Sequence, residues 1–133
     1  QLREPIQRMQ RPFCLLAGGE TTVTLRRGSG QALKGNGKGG RHQELALGAV
    51  DVLDGLENVM LVSLATDGED GPTDAAGAVV TGESAQRAKR LGMSAADYLS
   101  RNDAYVFFNA LDDLIHIGPS GTNVNDLALC FAF

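Results

Sequence analysis

Between Ala65 and Ala78 the chain reads ATDGEDGPTDAAGA, which places Asp67, Glu69, Asp70 and Asp74 in one short, glycine-broken stretch. Carboxylates this close repel one another unless a positive group lies nearby: a metal ion, a basic side chain or the N-terminus of a helix. Further upstream, the glycine-rich segment GNGKGG carries Lys38 and then Arg41 into the start of a periodic stretch. Backbone N–H groups at a helix start and a fork-shaped guanidinium together favour an oxyanion such as phosphate or carboxylate. The plainer alternative is a surface loop whose glycines supply slack and whose arginine pairs with a local acid.

Asp67 directly follows the most apolar run in the chain, so it stands at a strand end, where open α/β sheets collect ligands. The competing reading is an Asp-Gly turn, and Asp70, also before a glycine, divides the same way. Glu69 reads as solvated, and Asp74 as the N-cap of whatever begins at Ala75. Glu20, after Gly18 and Gly19, either anchors Arg41 or approaches a substrate, or only serves a turn. In GPSGTNVND, Ser120, Thr122 and Asn123 offer hydrogen bonds to the same cleft or to their own loop, with Asn125 and Asp126 behind them. His42 and His116 lack metal-site spacing, and His116 reads as a core or edge residue. Tyr105, Phe107 and Phe108 recur at helical spacing and read as core packing. Cys14 and Cys130, in apolar surroundings without paired spacing, read as buried reduced thiols.

These groups need elements to hold them. Phe13–Ala17 and Thr21–Arg26 read as two strands joined by a tight turn at the glycines, and RGSGQALKGNGKGG as an exposed, mobile loop. From Gln43 to Leu56 the period becomes helical, with Leu45, Ala49, Val52 and Leu56, flanked by Ala46, Val50 and Leu53, on a wide buried stripe and Glu44, Asp51 and Asp54 facing away. NVMLVSLA, Asn58–Ala65, suits a central strand covered on two sides. A strand over Ala75–Thr81 follows, then a helix over Gly82–Leu91 stopped by Gly92. Ser94 with Asp97 suggests a capping box, and Asn102 caps a helix from Asp103 to about Leu111. Leu114–Ile117 and Leu127–Phe133 close the list as strands. The alternation implies a single α/β domain, a mixed β-sheet flanked by helices on both faces.

GNGKGG formally satisfies G-x-G-x-x-G, but the preceding strand ends too early and Asp67 lies too far downstream for a dinucleotide fingerprint. A Walker A loop is excluded, because neither Lys34 nor Lys38 has the required glycines and hydroxyl around it. With 133 residues, 43% of them apolar, the chain is long enough to bury one core. Its net charge of −4, from 16 acidic and 12 basic residues, offers no support for a nucleic-acid or membrane-surface partner. Its apolar runs are too short to cross a bilayer, and a cytoplasmic protein is expected.

Five ordered blocks, LLAGGETTVTL, GKGGRHQELAL, ATDGEDGPTDAAGAVV, NDAYVFF and GPSGTNVNDL, together resemble the C-terminal MOFRL domain of class II glycerate kinases, a family partly labelled hydroxypyruvate reductase. The resemblance runs from about Pro12 to Leu129. It implies that residues 12–133 are the C-terminal α/β domain of a longer two-domain enzyme, with 1–11 the end of a preceding helix or linker. The implied reaction transfers the γ-phosphate of ATP to D-glycerate, with Mg²⁺, in an interdomain cleft. ATP and Mg²⁺ would both require an N-terminal kinase domain, so the chain alone is expected to be inactive; whether copies associate is left open.

The family's cleft arginine falls on Arg41, followed here by His42 where Asn is usual. The resemblance implies Arg41 as a catalytic residue, and the position of Asp67 and Asp70 at a strand end makes them the expected carboxylates, Asp67 as a catalytic residue and both as metal ligands. Gly19, Glu20, Lys38, Gly39, Gly40, Asp70, Ser120, Thr122 and Asn123 are the expected substrate contacts. Two alternatives stand beside it: a stand-alone module that binds an anion or small molecule without catalysis, and an NAD(P)-dependent hydroxypyruvate reductase.

Overall fold

The computed structural model describes residues 3–22 and 37–133. Helix α1 (Arg3–Arg8) leads into strand β1 (Phe13–Gly19), and helix α2 (Arg41–Leu53) is followed by strands β2 (Val59–Ala65) and β3 (Gly77–Thr81). Helices α3 (Ser84–Arg90), α4 (Ala95–Ser100) and α5 (Ala104–Leu111) come next, then strands β4 (Leu114–Ile115) and β5 (Asp126–Ala132). Local chemistry sets many of these limits. The Ser94 side chain accepts the Asp97 N–H at the start of α4, and Gly92, at φ +71°, turns the chain out of α3. α5 starts one residue after the expected place, with Asp103 at its N-cap, and Asp112 closes it in the left-handed region.

The strands form one sheet in the order β1-β5-β2-β3-β4, so the expected central strand β2 does lie at the centre. The α/β single-domain class holds. Where a mixed sheet is expected from alternating strands and helices, every pairing among the described residues is antiparallel. The reason is topological. β1 and β2 both run antiparallel to β5, hence parallel to each other, but β5 occupies the gap between them. The β1-α2-β2 segment has the pattern of a parallel unit and is filled from the far end of the chain.

Gly18 and Gly19 extend β1, paired with Leu127 and Asp126, instead of making the tight turn expected of them. Of the expected partner strand over Thr21–Arg26, Thr21 and Thr22 are described and are not in a strand, while the rest of it and most of the glycine loop, including Lys34, lie outside the described residues.

α2 packs on the sheet through Ala46, Leu47, Val50 and Leu53. The wide stripe holds at Ala46, Val50, Leu53 and Leu56, but Leu45 and Ala49 are only partly buried and with Val52 line an apolar groove beside Ile6, Leu15 and Leu16, and Glu44, expected to face away, is buried. Both flanks of the helix are apolar, so periodicity alone could not choose between them. Phe107 and Phe108 complete the core edge to face, with ring centroids 5.2 Å apart. Cys130 is buried and Cys14 exposed, which corrects the expectation of two buried thiols. On the opposite face of the sheet, Met60, Val62, Leu64, Leu127, Leu129 and Phe131 stand outside the core cluster. The described helices gather over one face, and β2 alternates buried and half-buried positions where burial on both faces is expected. No helix among the described residues is long and apolar enough to cross a membrane.

Candidate active site

The inserted strand β5 begins at Asp126, which the register places between Gly19 at the end of β1 and Ala65 at the end of β2. The N-terminus of α2 meets the sheet at this row. Asp126 is 4% exposed, and a buried carboxylate needs donors. It has them on both oxygens. Oδ2 accepts the Thr21 backbone N–H and hydroxyl, each at 2.8 Å. Oδ1 accepts Arg41 Nη2–H at 2.7 Å and Nε–H at 3.2 Å, and lies 2.9 Å from His42 Nε2. Burial pushes the Asp126 carboxyl upward, but the two Thr21 donors, Arg41 and His42 outweigh it and hold the group at about 2.

His42 is 1% exposed. Because a carboxylate only accepts, Nε2 carries a proton toward Asp126, and Nδ1 lies 3.4 Å from the hydroxyl of Ser63 on β2. Arg41, by contrast, stays partly open, with a side chain 42% exposed. The hydrogen bond to Asp126 raises its pKa against the opposing effect of burial, and the charge of Asp126 followed by those of Glu20 and Asp70 adds to the rise.

Asp70 lies on the other side of the same helix start. Its Oδ1 accepts His42 N–H at 3.1 Å and its Oδ2 accepts Gln43 N–H at 2.8 Å, so this loop carboxylate caps α2 from a distance in sequence. Burial raises its pKa, opposed by those two amides and by the charges of His42 and Arg41. Gly40 has to lack a side chain here, since a Cβ would sit 2.2 Å from the Asp70 carboxylate.

The acidic loop is tied down by Asp70 N–H to Ala75 O at 2.8 Å and the Thr73 hydroxyl to Asp70 O at 2.7 Å. Asp67 is half-buried, and its carboxylate accepts the Glu69 N–H at 3.2 Å. The loop GPSGTNVND docks beside it: Ser120 donates its N–H to Asp67 O and its hydroxyl to Thr66 O, and a Cβ on Gly68 would strike Gly118 O. Thr122 and Asn123 are exposed, Asn123 Oδ1 accepting the Asn125 N–H within the loop.

Lys38 takes a different direction, its ammonium 3.7 Å from the centre of the Tyr105 ring. The Tyr105 hydroxyl donates to Asp74 Oδ1 at 2.8 Å, and the exposed His116 places Nδ1 3.2 Å from Asp74 O. Asp74 therefore does not cap a helix as expected, because a strand follows, and Tyr105 belongs to this surface group and not to the core.

Of the residues picked from the sequence, Gly19, Glu20, Gly40, Arg41 and Asp70 thus meet around one helix start. Asp67 and Ser120 share the neighbouring loop pair, and Lys38 with Gly39 leads toward α5. Sequence reasoning undervalued Asp126 and missed His42, Ser63 and Thr21 as parts of the network. Ser63, a lone hydroxyl within the apolar run VMLVSLA, was the available signal.

Among the described residues, no group of three or more His, Cys, Asp and Glu could hold a metal ion. With both oxygens of Asp70 engaged by amides and the residue 1% exposed, Asp67 is the accessible carboxylate of the expected pair.

A buried acid thus holds an arginine at the N-terminus of a helix, beside two docked loops at a sheet end of an α/β domain. The chain belongs to the MOFRL family, whose profile matches residues 13–126. It is 47% identical over 121 residues to the D-glycerate 2-kinase of Thermotoga maritima, covering 91% of this chain and 27% of that protein. It is 45% identical over 141 residues to the glycerate kinase of Homo sapiens, covering 98% of this chain and 25% of that protein. The crystal structure of a glycerate kinase from Thermotoga maritima matches with a TM-score of 0.85 and 43% identity, over 99% of this chain and 30% of that one. The chain therefore spans about a quarter of the length of these curated relatives.

Proposed function

We propose that this chain is the C-terminal domain of a glycerate 2-kinase, contributing Arg41 and the acidic loop to an interdomain cleft where the γ-phosphate of ATP passes to D-glycerate. The observation that carries the reading is Arg41: it lies on the N-terminus of α2, held by Asp126 yet still 42% exposed, in a chain whose relatives carry the name glycerate kinase.

Phosphoryl transfer demands positive charge on the migrating group and a positioned acceptor. In this reading Arg41 binds the glycerate carboxylate or a phosphate, and Asp67 faces the acceptor hydroxyl or a metal-bound water. In this reading Glu20, Gly19, Gly39, Gly40, Ser120, Thr122 and Asn123 are the substrate contacts, and Lys38 takes part only if its ammonium leaves the Tyr105 ring. Asp67 fits Mg²⁺ only as one oxygen ligand among others, and the ion when bound would neutralise phosphate charge.

A nicotinamide-dependent reductase finds no support in the glycine segment. Among the described residues, the strand before α2 ends at Gly19 and α2 begins at Arg41, a separation far longer than a dinucleotide-binding turn. The reading predicts that the isolated chain neither phosphorylates glycerate nor binds glycerate, 2-phosphoglycerate or Mg-ATP tightly in calorimetric titration. Turnover by the chain alone would refute the shared active site, and tight binding without turnover would favour a stand-alone binding module.

A further inference from the structure

We infer that Asp126 is a positioning residue that fixes Arg41 with one edge of its guanidinium inward and the opposite edge turned out as a fork for a two-oxygen anion. This rests on the reading of Arg41 as the site arginine and adds the group that makes it directional.

Arginine carries five N–H donors in a rigid plane. Nε–H and one N–H of Nη2 converge on Asp126 Oδ1, and among the described residues the remaining N–H groups, on Nη1 and Nη2, have no partner. Those groups form the fork that matches carboxylate or phosphate geometry. A flexible arginine would lose rotamer freedom on binding, whereas one already held presents the fork without that cost.

The holder is itself held. Thr21 fastens Asp126 Oδ2 from the end of β1, and His42, braced by Ser63 on β2, shares Oδ1. Thr21 after β1 and two residues of α2 thus hold one carboxylate, with β2 reaching it only through His42, which is more than a simple surface ion pair requires. The charged and titratable groups facing it are Arg41 and His42, and Arg41 in turn feels Glu20 and Asp70.

The test uses the 133-residue chain labelled with ¹⁵N. The Arg41 Nε–H signal, assigned by its loss in Arg41→Lys, is expected to exchange with water roughly tenfold more slowly than those of exposed arginines. An exchange rate equal to theirs in the unaltered protein overturns the proposal, whatever any variant does. Asp126→Asn is expected to remove the protection while the remaining amide spectrum stays dispersed, and Asp126→Glu to restore part of it. Retained protection in a folded Asp126→Asn also overturns it.

Titration with inorganic phosphate then separates the two readings. If Arg41 is protected but phosphate never shifts its signal, the positioning stands and the anion site fails. If phosphate binds, its affinity is expected to fall roughly tenfold in Asp126→Asn. Unchanged affinity in that variant contradicts the positioning role.

Discussion

Asp126 gathers donors from Thr21, Arg41 and His42 because its position at the head of an inserted strand removes it from water. Its folded value of about 2 lies below the ordinary 3.8, so the stabilisation it provides is complete above about pH 4 and disappears as the pH falls through 2. A depression of that size corresponds to about 2 kcal/mol. Urea unfolding midpoints measured from pH 5 down to pH 2 should therefore decline, and in Asp126→Asn that part of the decline should be absent. An identical acid profile for both proteins would remove Asp126 from the account. Of this network, Arg41 was legible because its guanidinium follows glycines into a helix. Asp126 was not, because nothing in NVNDL says that the strand after it will lie between two others.

At the scale of elements, the start of α2 supplies a positive partner for the crowded carboxylates. The N-terminus of a helix was one of the positive partners the acidic stretch required, and Asp70 supplies both oxygens to it. Asp70→Ala should destabilise the chain by about 2–3 kcal/mol, since two amides lose a charged acceptor in a buried place. Hydrogen exchange should localise the loss to the first turn of α2, and protection unchanged there would contradict the capping role. The existence of α2, β2 and α4 could be read from periodicity and capping residues. The rotation of α2 could not, because Leu45, Ala49 and Val52 are as apolar as the stripe that packs inward.

Across the whole molecule, one placement explains both the sheet and the site. By lying between β1 and β2, β5 turns what reads as a parallel unit into an antiparallel sheet and carries Asp126 to the foot of α2. Local sequence holds no record of which distant strand fills a gap, so the α/β class was legible and the pairing was not. The site faces outward from a chain about a quarter as long as its named relatives, which is why its chemistry is proposed as shared. The direct measurement is D-glycerate-dependent ATP consumption by a chimera in which this chain replaces the matching segment of the Thermotoga maritima kinase, with folding checked by circular dichroism. The account predicts turnover, reduced on the order of a hundredfold by Arg41→Ala with little change in melting temperature. A folded chimera that consumes no ATP, or one whose Arg41→Ala variant is equally active, would contradict it.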